Sequence, residues 1–328
     1  MTNRRARTNR RTITDRGEDQ ALSLHSNSAS HGTGSPRRPA PDAPVAVDLW
    51  LVRYPVQHST GRRLAVAELD ARERTRAAAF LRPPDALLYT AAHIALRRLL
   101  AAALGLTPED VSYVREPCPG CGGPHGRPAL RPGPAPVLHF SLSHSSGRAL
   151  VALATAPVGV DIQRMPSAQA TEVCVRRLHP GERAELEELP QDRRGPAFGQ
   201  LWARKEAYLK GIGTGLERPA HADYLGTPGL GRWLRPPHWT VLDLPGGPAH
   251  TAAVAVLGTP AAPLPVRPLP MEWLYEGDAA RVLTEIARLT GAVRVTEAAG
   301  VQDTAGVEGT DRVEGPVRLK ETVKETLT

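Results

Sequence analysis

The chain has 328 residues, a formal net charge of +7 and only four lysines. Its length suits one large or two small domains, and the modest basic excess favours an anionic ligand or an acidic protein partner without by itself indicating nucleic acid. No apolar run approaches the ~18 residues of a membrane span, and no apolar segment follows the Arg-rich N-terminus as in a secretory signal. Three cysteines in such a chain predict a reducing, cytoplasmic compartment.

Composition divides the chain into two central halves with a tail at each side. Residues 1–43 are polar, rich in Arg, Ser and Pro, and without apolar periodicity, which predicts a disordered arm. Residues 259–328 begin as a Pro/Ala linker and are predicted to be mostly disordered, with one possible helix at 278–289. The folded body is therefore expected to be an N-terminal half, 44–157, and a C-terminal half, 158–258.

The first half begins with a strand and two helices. Alternating apolar residues predict the strand at 45–52, and helices follow at 68–80 and 85–104. The second helix has an apolar stripe for the core, with Arg97 and Arg98 beside it. Those two arginines are cations that a ligand could use.

A compact loop at 117–128 contains Cys118, Cys121 and His125. These are residue types that bind zinc, whereas a structural zinc site uses four ligands. A fourth would have to come from elsewhere in the chain, either Cys174 or another histidine. The alternative is a Gly/Pro turn whose thiols stay reduced.

The strands after this loop bring polar side chains towards the middle of the chain. Segments 137–143 and 148–154 predict a β-hairpin. The next strand, 158–163, turns apolar residues to one face and Asp161 and Gln163 to the other. Two polar groups therefore project together from a strand with an otherwise buried pattern.

A helix at about 197–210 carries charge among its apolar residues. A spacing of four puts Phe198, Trp202, Glu206 and Lys210 in one row. One interpretation is a surface ion pair between Glu206 and Lys210. The other is a ligand site, because a buried carboxylate needs a cation or a metal beside it.

The order of elements repeats faintly along the chain. The helix at 85–104 precedes the hairpin just described, and the helix at 197–210 precedes a second strand pair at 239–244 and 251–257. This repeat predicts an α+β fold of two pseudo-symmetric halves with an active-site cleft between them.

Asp161 and Glu206 together provide two carboxylates from different elements. Magnesium favours one or two carboxylates, waters and substrate phosphate oxygens, so the pair indicates a magnesium site for a phosphate-bearing ligand. Cations that can neutralise the same phosphates are Lys205, Lys210, Arg97 and Arg127.

These residues fall in recognisable motifs. Gly159-Val160-Asp161-Ile162 and Trp202-x-x-Lys205-Glu206-Ala207-x-x-Lys210 resemble the signature pair of 4'-phosphopantetheinyl transferases. Ser143-His144-Ser145 and Gly126-Arg127-Pro128 match two further motifs of the long, two-half type that activates surfactin synthetase. The resemblance covers about 45–258 and neither tail.

The resemblance implies a holo-[acyl-carrier-protein] synthase. Such an enzyme transfers the 4'-phosphopantetheine of coenzyme A to a serine of an acyl or peptidyl carrier protein, with magnesium, and releases 3',5'-ADP. Asp161, Gln163 and Glu206 would then hold magnesium. Glu206 would also be the general base, and Lys210 a general acid or charge stabiliser.

The resemblance also implies the coenzyme A contacts: Arg97, Arg127, Ser143, His144, Lys205 and Lys210. The family often has Glu where this chain has Gln163, so magnesium affinity is the property that this departure affects. The region 173–189 is expected to contact the acidic carrier, and the enzyme to act as a monomer.

Two other functions fit the same residues. A different magnesium-dependent phosphotransferase or phosphohydrolase would share the carboxylates without needing coenzyme A. A non-catalytic carrier- or RNA-binding module would use the Arg-rich arm. The sequence leaves open whether the carrier serves fatty acid, polyketide or nonribosomal peptide synthesis.

Overall fold

The computed structural model describes residues 44–54, 61–132, 137–227 and 235–290. The predicted disordered arm at 1–43 and the end of the predicted C-terminal tail, 291–328, lie outside the described residues. The elements of the first half are β1 (Val47–Arg53), α1 (Ala71–Ala78), α2 (Pro83–Leu104), β2 (Tyr113–Arg115), β3 (Pro128–Leu130), β4 (His139–Ser145) and β5 (Arg148–Ala154). Those that follow are β6 (Val158–Arg164), α3 (Ala168–Cys174), α4 (Pro180–Glu188), α5 (Gln191–Ile212), β7 (Trp239–Leu244), β8 (His250–Leu257), β9 (Val266–Pro268) and α6 (Ala279–Leu289).

Two sheets, with helices packed on them, form the centre of the described part of the chain, which confirms the predicted α+β class. The first sheet has the strand order β4-β5-β1-β9, and the second has the order β6-β8-β7. Strands β4, β5 and β1 are antiparallel neighbours, as are β6, β8 and β7. A separate ribbon pairs β2 with β3. Each half thus supplies one sheet and one helix of 22 residues, α2 or α5.

Alternation along the strands explains how the layers pack. Alternate residues of β5 and β8, such as Ala152 and Val254, lie in a core between the two sheets. The residues between them, such as Val151 on β5, face α2 in one half, and Ala253 on β8 faces α5 in the other. Both faces of these strands are therefore buried, which is why they read as nearly continuous apolar runs.

A row of serines joins the edges of the two sheets. Ser141 and Ser145 lie on one face of β4, and their hydroxyls accept hydrogen bonds from the backbone of β6. Val160 N–H is 3.0 Å from Ser141 Oγ, and Arg164 N–H is 3.2 Å from Ser145 Oγ. Small hydroxyl side chains let the two edges come close while satisfying the backbone groups of β6. We call this contact the serine seam.

The backbones of α5 and β6 are in close contact at Gly159. A Cβ added to Gly159 would lie 2.0 Å from the carbonyl oxygen of Ala207 and 2.4 Å from the backbone nitrogen of Gly211. Only glycine fits at such an approach. Gly159 therefore sets the distance between the strand that carries Asp161 and the helix that carries Lys210.

Substituting Gly159 by alanine is expected to push α5 away from β6 and to lower the free energy of unfolding by about 1–3 kcal/mol. Chemical denaturation measures this change. The matched control is Gly195→Ala, also on α5, because a Cβ there meets nothing within 4 Å and should be neutral or stabilising. Equal stability of the two variants would contradict the close approach.

The segment after the second half does not behave as the predicted linker. Strand β9 pairs in parallel with β1, and the turn after it buries Trp273 and Leu274 in the core of the first half. The helix expected at 278–289 is present as α6, which packs on α2 through Val282 and Ile286. The chain thus returns to its first half after completing its second, and residues 266–290 are part of the fold.

Helix α2 is long and apolar enough to cross a membrane by length and composition. The most apolar stretch of α2 is 72% buried inside the protein, as in the core helix of a globular fold. Arg98 on this helix is 2% exposed and pairs with Glu68, with an Nη2–Oε1 distance of 2.5 Å. It also donates to the carbonyls of Trp273 and Tyr275, which ties α2 to the returning segment.

Candidate active site

Three elements meet around the carboxylate of Asp161. This side chain projects from β6 towards α5, on the face predicted from strand alternation. Lys210 Nζ on α5 lies 2.6 Å from Asp161 Oδ1 and also donates to Ser143 Oγ at 3.0 Å. The Ser143 hydroxyl on β4 donates to the same Asp161 oxygen at 2.8 Å. The two halves thus contribute to one polar group at the serine seam.

The end of α5 fixes the position of Lys210. The helix stops at Gly213, whose φ of 82° is the left-handed conformation that favours glycine, and the N–H of Gly213 donates to the carbonyl of Lys210. A cation in the last turn also interacts favourably with the helix dipole. A third contact, from Lys210 Nζ to the carbonyl of Val160 at 3.1 Å, holds the ammonium over β6.

Glu206 and Gln163 are the other two predicted metal ligands. Glu206 is one turn before Lys210 and is 9% exposed, so it is not on the open surface of the helix. The ammonium of Lys210 makes an ion pair with Asp161. Gln163 Nε2 donates to the carbonyl of Gly199 on α5 at 3.3 Å, which leaves its Oε1 as the atom it can offer to a ligand.

One oxygen of Asp161 identifies where a cation fits. Asp161 Oδ2 is buried and has no hydrogen-bond partner among the described residues. A buried carboxylate oxygen without a partner is costly, and a cation satisfies it. Carboxylate and amide oxygens are also the ligand types that magnesium accepts. Asp161, Glu206 and Gln163 therefore fit a magnesium ion by donor type, and the unpartnered oxygen marks the position.

Arg127 lies next to this group. It follows the Cys/His loop, and its Nη1 donates to the carbonyl of Gly211 at 2.9 Å, immediately after Lys210. Its Nε pairs with Glu116 at 2.7 Å. The cation is thus held against the end of α5, and its side chain is 19% exposed, so a ligand can still reach it.

His144 lies on the other side of β4. Strand alternation turns it away from Ser143 and towards α2, where its ring meets the edge of Tyr89 with centroids 6.0 Å apart. Tyr89 stacks on His93, and burial raises the pKa of the Tyr89 hydroxyl to about 12. His144 is therefore separate from the Asp161 group and belongs to a polar region on the first half.

Arg97 is not available for a ligand. It is 1% exposed, and its guanidinium donates to Glu73 at 2.6 Å and to Asp70 at 3.1 Å. It also donates to the carbonyls of Pro108 and Val111. Asp70 and Glu73 form the capping box of α1. Arg97 thus fixes the start of α1 and the turn after α2, and the prediction of a coenzyme A contact is wrong in this structure.

Lys205 is a structural cation too, contrary to the prediction of a phosphate contact. It is 1% exposed and lies 2.6 Å from Glu182, which is completely buried in the first turn of α4. Lys205 also donates to the carbonyl of Asp223. Burial lowers the pKa of Lys205 and raises that of Glu182, and the attraction between the two opposes both shifts. Residues at different positions of a helix point in different directions, so Lys205 faces α4 whereas Lys210, five positions later, faces β6.

The Cys/His loop brings its three candidate ligands together. The ligand atoms of Cys118, Cys121 and His125 all lie within 4.8 Å of one another. Cys174, one of the options for a fourth ligand, is buried in the core between α3 and α5 and is not part of this group.

Comparisons with known proteins agree with the motifs. The sequence profile of the 4'-phosphopantetheinyl transferase superfamily matches residues 157–246. The 4'-phosphopantetheinyl transferase HetI of Nostoc sp. is 32% identical over 216 residues, which cover 65% of this chain and 88% of HetI. A putative 4'-phosphopantetheinyl transferase of Synechocystis sp. is 33% identical over 46% of this chain and 59% of its own length.

A 4'-phosphopantetheinyl transferase of Bacillus subtilis is 30% identical over 160 residues, which cover 48% of this chain and 65% of that protein. The matched profile contains β6, α5, β7 and part of the segment after it, and so includes Asp161, Glu206 and Lys210. Since the similarity to HetI extends over most of that relative, the chain belongs to the 4'-phosphopantetheinyl transferase superfamily.

Proposed function

We propose that this protein transfers 4'-phosphopantetheine from coenzyme A to a serine of an acyl or peptidyl carrier protein, with magnesium, and releases 3',5'-ADP. The observation that carries the proposal is the junction of the two halves, where Lys210 and Ser143 meet one oxygen of Asp161 and the other oxygen has no partner among the described residues. Membership of the superfamily supports the substrates.

The residues divide the reaction among them. Asp161, Glu206 and Gln163 would hold magnesium, which would neutralise pyrophosphate charge. Glu206 accepts the proton of the carrier serine, directly or through a water, as the serine oxygen attacks the phosphorus of the phosphopantetheine phosphate. The bond from that phosphorus to the bridging oxygen breaks, and the electron pair leaves with 3',5'-ADP.

Cations at the end of α5 stabilise the leaving phosphate. Lys210 Nζ already has an anionic partner in Asp161, so a phosphate oxygen arriving beside Asp161 meets a positioned ammonium. Arg127, which is held on the carbonyl of Gly211, adds a second cation on the same side. His144 contacts the nucleotide from the other face of β4.

The chain is of the long type that activates surfactin synthetase, in which two halves in one polypeptide complete the site and the enzyme acts as a monomer in the cytoplasm. Support comes from the two sheets, each with its own long helix, that meet at the serine seam. The acidic carrier docks on 173–189, where Val173 is exposed and Arg176 and Arg177 end a short turn before α4.

Release of 3',5'-ADP from coenzyme A tests the proposal. Chromatography should show the nucleotide only when the full chain, magnesium and an apo carrier protein are all present. Nucleotide release without the carrier would contradict the transfer and indicate a phosphohydrolase.

Replacing Gln163 with glutamate should keep turnover at the wild-type level or raise it, and lower the magnesium concentration that gives half-maximal rate. A third carboxylate strengthens a magnesium site, although losing the hydrogen bond to Gly199 costs about 1 kcal/mol of stability. Initial rates across a magnesium titration measure both effects. Gln163→Met, which offers no oxygen, should need more magnesium, and a large loss of turnover in Gln163→Glu would contradict this placement.

A further inference from the structure

The loop between β2 and β3 brings soft metal ligands together. Cys118 is 2% exposed, Cys121 is exposed, and Cys121 Sγ lies 2.9 Å from His125 Nε2. All three ligand atoms lie within 4.8 Å of one another. Two thiols and one imidazole at such separations can be bridged by one tetrahedral ion, whose bonds to sulfur and nitrogen are ~2.0–2.3 Å long.

The backbone of the loop is arranged around the two sulfurs. Gly122 has a φ of +73°, and its N–H donates to the carbonyl of Cys118, which closes a tight turn. The Cys118 sulfur accepts backbone N–H groups of Gly120 and Cys121. The N–H of Gly123 approaches the Cys121 sulfur at 3.4 Å. Backbone amide groups are therefore directed at both of the sulfurs that would bind a metal.

The histidine gives a second, independent indication. The Nδ1 atom of His125 is buried and has no hydrogen-bond partner among the described residues, while its Nε2 is directed at a thiol. A satisfied core histidine would use both ring nitrogens. One ring nitrogen is thus directed at a candidate sulfur ligand, and the other is buried with no partner among the described residues.

We propose that Cys118, Cys121 and His125 bind a zinc ion, with a water in the fourth position. Thiolate and imidazole ligands in tetrahedral arrangement favour zinc over magnesium or calcium, which prefer oxygen. This ion is distinct from the magnesium of the transfer reaction, because no oxygen ligand of that site belongs to the loop. The proposal does not depend on the transferase activity.

The position of the loop suggests what the ion would stabilise. A Cβ added to Gly213, at the end of α5, would lie 3.7 Å from Pro119 in the loop and 3.6 Å from the side chain of Arg127 just after it. Arg127 itself donates to the carbonyl of Gly211. A zinc ion in the loop would therefore fix the segment that packs on the end of α5. We expect its removal to lower the thermal unfolding midpoint of the whole chain.

Metal analysis of the full chain tests the proposal. Protein from zinc-supplemented cells should retain equimolar zinc after desalting, and replacing zinc with cobalt should give thiolate-to-cobalt charge-transfer absorption. Cys121→Ser and His125→Asn should each weaken zinc binding, which competition with a chelator measures. The loss of affinity should exceed the about 10–100-fold that removing a hydrogen-bond partner of a metal ligand costs. Both residues lie on the surface loop, so these variants should still fold.

Cys174→Ala is the matched control, because it removes the cysteine that lies in a different core and should leave zinc binding unchanged. A chelator should lower the unfolding midpoint of the wild type and of Cys174→Ala, but not that of Cys121→Ser. The proposal is overturned if the wild type carries no zinc and shows no cobalt–thiolate absorption. It is equally overturned if Cys121→Ser and His125→Asn bind zinc as the wild type does.

Discussion

Asp161→Asn is expected to lower the rate of carrier modification by at least about 100–1,000-fold, the usual effect of removing one positioned electrostatic group from an active site. One oxygen of Asp161 accepts from Lys210 and Ser143, and the other is the buried oxygen with no partner among the described residues. Asparagine keeps the shape of the side chain but removes its charge. Its amide nitrogen must then replace one of the two carboxylate oxygens. The magnesium dependence of initial rates under single-turnover conditions measures the loss.

The control is Asp243→Asn. Asp243 lies on β7 and makes an ion pair with Arg204 of α5 at 2.5 Å, so it too joins a strand of the second sheet to that helix. It is exposed and lies on the opposite side of β8 from Asp161, and its loss should leave the rate unchanged. If Asp161→Asn were as active as Asp243→Asn, the site would lie elsewhere.

Lys205→Met is expected to destabilise the protein by about 3–5 kcal/mol, because it leaves Glu182 as a buried charge without its cation. Glu182 would then be favoured in its protonated form. Burial already raises the pKa of Glu182, and removing Lys205 removes the largest influence that lowers it. Urea denaturation at several pH values measures both the loss and its pH dependence.

The sign of that dependence follows from proton binding. In Lys205→Met the folded state keeps a proton on Glu182 at pH values where the unfolded chain has lost it, so stability rises as the pH falls towards the ordinary pKa of a glutamate. The double variant Lys205→Met/Glu182→Gln should recover most of the loss, because the neutral amide keeps an oxygen as acceptor for the buried backbone N–H of Leu225. A phosphate-binding lysine would give the opposite pattern, with normal stability and a raised KM for coenzyme A.

Local patterns in the sequence predicted which polar side chains share a face. Strand alternation placed Asp161 and Gln163 on the same face of β6, and the i,i+4 row placed Glu206 with Lys210. The hydrogen bonds of Asp161 and Gln163 to α5 agree with that placement. Such patterns depend on neighbours within one element, and a single sequence contains them.

Distant pairings could not be predicted in the same way. Arg97 and Lys205 have charged partners on α1 and α4, and nothing in their own helices distinguishes a cation that binds phosphate from one that holds a buried carboxylate. Both are helix residues beside apolar stripes, and both are completely enclosed. Their carboxylate partners, Glu73 and Glu182, lie near the starts of helices, where the sequence alone suggests a capping role instead.

The short strand β9 was missed for a related reason. It has three residues among prolines, and its pairing with β1 joins positions more than two hundred residues apart. Likewise, the alternating serines of β4 predicted only a hairpin strand, whereas they join two sheets. Small side chains at such contacts allow two elements to approach closely, and this role can be recognised only once the positions of both elements are known.

Intact-mass spectrometry of an apo carrier protein tests the proposed transfer most directly. The full chain, coenzyme A and magnesium should increase the mass of the carrier by one phosphopantetheine group. The same carrier with its acceptor serine replaced by alanine should not change, and Asp161→Asn enzyme should modify the intact carrier only slowly. An unchanged carrier mass, with the carrier still bound to the protein, would contradict the transfer and leave a binding module in its place.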